Sequence, residues 1–211
     1  MGRAAEIERF KYMKTVIIAS NNAHKATEIA EALDFPGWEF KTLKQAGISS
    51  DPAEDADTFL GNARIKAQAA QAASGGMAVL ADDSGLEVDA LNGAPGVYSA
   101  RFAGEPTDDA ANNAKLLREL SDTPDERRTA RFVCQLVYLD ETGAETDARG
   151  AVEGRIGYEE RGEHGFGYDP LFLAEVFDFK RTLAEALPEE KNAVSHRGNA
   201  LRELRAKLAG E

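Results

Sequence analysis

The sequence is poor in the residues that build disulfides, histidine metal sites and nucleic-acid surfaces. Its 211 residues include one cysteine, Cys134, so no internal disulfide framework is available. That thiol sits among apolar neighbours, which reads as a buried, reduced and inert group and makes a cytoplasmic location the expectation. The three histidines, His24, His164 and His196, lie far apart with no H-E-x-x-H spacing, so a histidine zinc site is not expected. Positive charge is scarce: 25 Lys and Arg against 37 Asp and Glu leave a net charge of −12. Such a surface repels nucleic-acid backbones, so no nucleic-acid partner is expected. It also repels free anions, and an anionic substrate therefore needs a local basic pocket or a metal ion. No apolar run approaches the ~20 residues that span a bilayer, and no membrane partner is expected. Residues 1–12, MGRAAEIERFKY, lack the apolar centre of a signal peptide. No Gly-Lys-Ser/Thr follows a glycine loop, and there is no G-x-S-x-G elbow.

Strand and helix patterns alternate along the rest of the chain. Val16–Ala19 is a short β-branched run that reads as a buried strand, ending at Ser20-Asn21-Asn22. A helical pattern follows through HKATEIAEAL. WEFKTL (38–43) alternates like a second strand, and 44–57 reads as a polar, acidic loop. Thr58 suits the N-cap of a helix FLGNARIKAQAAQAA that stops at Gly75-Gly76. A strand over 78–82 ends in Asp82-Asp83. TDDAANNAKLLREL predicts a helix capped by Thr107. RTARFVCQLVYLD and ETDARGAVEGRIG predict two long strands joined at Glu141-Thr142-Gly143. RGEHGFGYDP is a glycine-rich loop, LFL a short strand, and the tail a turn and a final helix. This order predicts an α/β fold with a mixed sheet and no linker between independent domains.

Four clusters carry chemistry. Asp82 and Asp83 are adjacent, so in a strand their carboxylates point to opposite faces. Oxygen-rich sites of this kind suit Mg²⁺, with Glu54 of the acidic loop as a further ligand; an ordinary Asp-Ser-Gly turn is the simpler reading. SNNAHK (20–25) places a helix start after a strand, where backbone N–H groups favour phosphate and Lys25 adds charge; plain capping by Asn21 or Asn22 explains it too. In GFGYDP, Phe166 between glycines suits a planar base, or a core position. SHRG (195–198) brings His196 and Arg197 together near Lys191, as a basic pocket or as a helix start capped by Ser195.

Taken together, SNNAHK, NARIKA, LADDSGLEVDALNGAPGVYSARFAG, GFGYDP and SHRG resemble the motifs of the non-canonical purine NTP pyrophosphatases, the Ham1-like or inosine triphosphatase family. The resemblance runs from about Lys14 to Leu208. It implies a long mixed β-sheet with flanking helices forming two lobes around a central cleft. It implies Mg²⁺-dependent hydrolysis of ITP, dITP and XTP to monophosphate and pyrophosphate by a cytoplasmic homodimer. Asp83 resembles the general base and metal-contacting residue, and the catalytic set the resemblance implies is completed by Asp82 beside it and Lys66 near the phosphates. Glu54 resembles the second metal ligand, although PAEDADTF departs from the usual loop and leaves Asp55 open. Ser20, Asn21, Asn22, Ala23, His24 and Lys25 resemble the first nucleotide-binding loop, and Ser84 a further substrate contact. Phe166, Gly167, Tyr168 and Asp169 resemble the base-binding loop, with Lys191, His196 and Arg197 as remaining base contacts. His164 stands where a small residue is common, which predicts an altered pocket. Family members begin near MKTVIIASNN, so residues 1–13 are expected to be an extension, or a misassigned start, without assigned role, and 14–211 a single domain. A pyrophosphatase for modified pyrimidine nucleotides and a non-catalytic nucleotide sensor are the competing readings; the retained carboxylates argue against the sensor.

Overall fold

The computed structural model describes residues 13–22, 25, 29 and 35–210. Residues 1–12 of the expected extension and the sites Ala23 and His24 lie outside the described residues, as does most of the expected first helix, of which Lys25 and Ile29 are helical. Among the described residues six strands form one sheet, in the order β2-β1-β3-β4-β5-β6. They are β1 (Lys14–Ile18), β2 (Trp38–Thr42), β3 (Ala78–Val88), β4 (Thr129–Leu139), β5 (Glu145–Ile156) and β6 (Phe172–Ala174). The β1 strand pairs in parallel with β2 and β3, and every later pairing is antiparallel. The α-helices whose full span lies among the described residues are α1 (Leu43–Ala46), α2 (Phe59–Ala73), α3 (Asp109–Glu119), α4 (Pro188–Val194) and α5 (His196–Ala209).

Three apolar clusters hold these layers. On one face of the β1–β3 end, Val16, Ile18, Leu80 and Leu136 pack against Leu201 and Leu204 of α5. On the opposite face, Ile17, Val79, Ala81 and Val137 pack against Ala63, Ala67 and Ala70 of α2. The alternation of even and odd positions between these two clusters is the period-two pattern of a sheet covered on both sides. The third cluster lies toward β6 and gathers Leu86, Val88, Phe132, Ile156, Phe172 and Leu116. Gly150 lets α5 lie directly on β5, since a Cβ there would collide with the backbone of His196 and Ala200.

Four expectations need correction. The β3 strand does not end at its aspartates. It runs on to Val88, because Asp82, Asp83 and Ser84 keep full antiparallel pairing with Leu136, Gln135 and Cys134. What ends is its parallel neighbour: Ile18 pairs with Leu80, and the Ala19 N–H makes the last bond, to the Leu80 carbonyl. Beyond it the edge of β3 is open to a cleft. The polar loop 44–57 begins with the short helix α1, which Thr42 caps through its hydroxyl. The α3 helix is capped by Asp108 and not by Thr107, because the Asp108 carboxylate accepts the Ala111 N–H. The turn expected before the last helix is α4, with proline at its start and Ser195 closing it.

Candidate functional site

Two joined cavities open where β1 stops and β3 continues. One, of about 200 Å³, is walled by Ser20, Asn21, Asn22, Glu54, Lys66 and Asp83, with Arg101 at its rim. The other, of about 140 Å³, is walled by Phe132, Phe166, Tyr168, Lys191, His196 and Arg197. Asn22, Lys25, Ser84 and Ala100 line both, so the two are one continuous cleft with a charged end and an aromatic end. Gly85 at their junction sits against Ser99 and the Gly96 carbonyl, where a side chain has no room.

The strand pleat sends Asp82 and Asp83 to opposite sides, as their adjacency predicts. Asp83 faces α2. Its Oδ1 receives Lys66 Nζ at 3.1 Å and its Oδ2 receives Asn62 Nδ2 at 3.3 Å. Asn62 and Lys66 are four residues apart, hence on one helix face. Lys66 also reaches Glu54 at 2.8 Å, so one ammonium stands between two carboxylates. Glu54, not the exposed Asp55, lines the cavity. Burial acts most strongly on Asp83 and pushes its carboxyl up; Lys66 and Lys25 oppose, Glu54 adds to the rise, and the balance lies above the ordinary carboxylate value.

Asp82 faces α5. Its Oδ2 meets Lys25 and Arg197, each at 3.5 Å, and accepts the Ser84 hydroxyl at 3.0 Å. Burial alone would raise this carboxyl, but Lys25, Arg197 and Lys66 outweigh it and hold it well below the usual range. Arg197 also donates to Ser84 Oγ at 3.1 Å. The clustered charges thus divide between two faces of one strand.

At the aromatic end, Asp169 Oδ2 accepts both Lys191 Nζ at 2.7 Å and the Phe166 N–H at 2.9 Å. Lys191 Nζ stands 4.9 Å from the centre of the Phe166 ring. Asp169 is buried and Phe166 half-buried, so the carboxylate shapes the loop while the ring faces the cavity. Tyr168 donates its hydroxyl to the Ser99 carbonyl at 2.8 Å, which ties this loop to the opposite wall. His196 stacks on Phe132 with ring centres 4.9 Å apart. His164 is exposed and lines neither cavity, so the expected change of pocket shape at that residue is not found.

The structure therefore brings together every candidate among the described residues. The first loop is ordered by side chains: Asn22 Oδ1 accepts the Lys25 N–H, a capping bond, while Asn21 Nδ2 donates to the Ser50 carbonyl and to Asp51. Sequence reading missed Asn62 and Arg101. The i, i+4 spacing of Asn62 and Lys66 within NARIKA was available as a signal. Arg101 had none, since its place depends on the cleft-edge turn 96–101 and on its bond to the Glu54 carbonyl at 3.3 Å. Cys134 is buried, and burial pushes its thiol up to about 12, as an inert group requires.

His196 yields a pH prediction. Burial, then Arg197, Lys191 and Lys25, hold its imidazole well below 6.5. An unfolded chain takes up a proton on this histidine near pH 6.5 while the folded chain does not, so stability is full above that pH and declines as pH falls below it. The limiting slope is about 1.4 kcal/mol per pH unit. Thermal unfolding of His196→Gln and the parent between pH 7 and 4.5 is expected to show a shallower acid-side fall in the variant. Parallel curves would contradict it.

Comparison with known proteins places the chain in a family. The family model of the Ham1 family matches residues 16–207. A dITP/XTP pyrophosphatase of Exiguobacterium sibiricum is 51% identical over 193 residues, covering 92% of this chain and 96% of the relative. The dITP/XTP pyrophosphatase of Bacillus subtilis is 48% identical, covering 91% and 96%. The structure of a HAM1 protein from Coxiella burnetii superimposes with a TM-score of 0.83 at 41% identity, over 94% of this chain and all of that one. By sequence and by fold, the chain belongs to the Ham1 family.

Proposed function

We propose that this protein hydrolyses non-canonical purine nucleoside triphosphates (ITP, dITP and XTP) to the monophosphate and pyrophosphate. The observation that carries the reading is the single cleft with a charged end and an aromatic end, joined at Lys25 and Ser84. A triphosphate fits the first and a planar base the second. The relatives named dITP/XTP pyrophosphatase match across more than nine-tenths of their length, which supports the same chemistry here.

Asp83 is the base for water attacking the α-phosphorus. Asn62 and Lys66 fix both of its oxygens, so the carboxylate is held in place for that role. Lys25 and Lys66, with the backbone N–H groups of the first loop, hold phosphate oxygens in line. The pair Glu54 and Asp83 fits Mg²⁺: both are oxygen donors, they converge on one cavity wall, and this ion uses one or two carboxylates alongside waters and substrate phosphates. When bound, Mg²⁺ supplies positive charge to the phosphates and to the leaving pyrophosphate.

Base choice rests on the 6-position. Inosine and xanthosine present an oxygen there, an acceptor for donors such as Lys191 and Arg197, whereas adenine presents an amino group. Burying donor against donor gives rejection of about 10⁴-fold in sites of this kind. The homodimer belongs to the same proposal, and light scattering at micromolar concentration measures it. The test of function is pyrophosphate release from ITP, XTP, GTP, ATP and modified pyrimidine triphosphates, with Mg²⁺ and with EDTA. Release from ITP and XTP, abolished by EDTA, is expected. Preference for a pyrimidine nucleotide, or full activity in EDTA, would overturn the assignment.

A further inference from the structure

The first half of α3 grips both walls of the aromatic cavity. Asn112 accepts the Ala103 N–H at 2.7 Å and donates to the Ala100 carbonyl at 3.0 Å, which fixes the segment following the 96–101 turn. The next residue, Asn113, donates to the Gly167 carbonyl at 3.2 Å. One turn earlier Asp109 accepts the Gly167 N–H at 2.8 Å. Residues 109 and 113 share a helix face, and between them they take both backbone polar groups of a single residue. Gly167 has φ of +62° with open space where a side chain would stand, so glycine here serves the backbone conformation. The neighbouring Phe166 N–H goes to Asp169 on the other side. Two consecutive residues of the loop tip are thus held, one by the loop's own Asp169 and one by α3.

Asn113 has a second property. It is buried, and its Oδ1 has no hydrogen-bond partner among the described residues. A buried acceptor without a partner works against stability, and the Nδ2 bond to the Gly167 carbonyl offsets that cost.

We infer that Asp109 and Asn113 are positioning residues that latch Gly167 and so set where the Phe166 ring stands in the cavity. They govern how tightly the base is bound and leave the phosphate end alone. This rests on the base-side assignment proposed above.

The test uses Asp109→Ala, Asn113→Ala and the conservative Asp109→Asn, whose side-chain oxygen still accepts the Gly167 N–H. Kinetics with ITP and Mg²⁺, inhibition by inorganic pyrophosphate, and amide hydrogen exchange over 165–168 in the free protein are measured for each. Both alanine variants are expected to raise KM for ITP about tenfold and change kcat by less than about threefold. Pyrophosphate inhibition stays at the parent value, exchange at Gly167 accelerates, and Asp109→Asn restores KM. An unchanged KM, an equal weakening of pyrophosphate inhibition, or unchanged exchange at Gly167 would overturn the latch. If the parent itself fails to hydrolyse ITP, the functional reading fails, and hydrogen exchange still decides the latch. If Asn113→Ala does not fold, the exposed Asp109 carries the comparison.

Discussion

Replacing Asp83 with asparagine is expected to lower kcat for pyrophosphate release by ~10²–10⁴-fold, the usual worth of a general base. The loss should fall on every nucleotide alike, because Asp83 faces α2 and the charged cavity and not the aromatic end. Two opposed effects keep the fold intact. The raised carboxyl shows that the folded protein disfavours the charge: the penalty is present above the folded value and vanishes where both states are protonated, so a neutral side chain relieves it. Against that, both carboxylate oxygens accept bonds, from Asn62 and from Lys66, and an amide has only one acceptor to offer. Lys66 keeps Glu54 as counter-charge. The expected Tm change is within about 4 °C, or ~1 kcal/mol for a chain of this size. A kcat within tenfold of the parent would remove Asp83 from the chemistry.

The neighbouring residue should behave in the opposite way. Asp82→Ala is expected to destabilise the protein by about 3–5 kcal/mol, the typical result of removing one partner from a buried ion pair. Its buried carboxylate faces Arg197 and Lys25 and accepts the Ser84 hydroxyl, so the truncation removes the counter-charge that two cations share. The carboxyl is held low, which means its stabilisation is present above the unfolded value near 4 and lost as pH falls through the folded one. Urea denaturation at pH 7 measures the effect. A loss under 1 kcal/mol would show that the charges on this face are balanced by other means. Paired with the first prediction, the result separates two adjacent aspartates by function: one for rate, one for the fold of the cleft.

That separation shows what a sequence reveals and what it hides. Adjacency in a strand predicts opposite faces, and the structure agrees for Asp82 and Asp83. Which face meets which helix depends on α2 and α5 covering opposite sides of the sheet, and nothing local encodes that. The caps Thr58 and Ser195 were legible because an N-cap bond spans only a few residues. The extent of β3 was not, because a polar Asp-Asp-Ser-Gly stretch reads as a turn until its ladder with β4 is known. The seven-residue α4 was too short to show a period. In the same way the motifs named Phe166, Lys191 and Arg197 as neighbours, whereas the bond of Arg101 to Glu54 and the grip of α3 on Gly167 join segments more than forty residues apart.

The central claim is that water attacks the α-phosphorus of a purine triphosphate held across the two ends of the cleft. Hydrolysis of ITP in ¹⁸O-labelled water, with Mg²⁺, tests it most directly. The account predicts that the label enters the phosphate of IMP and that the pyrophosphate is unlabelled; label in pyrophosphate, or release of orthophosphate with IDP as the first products, would contradict it.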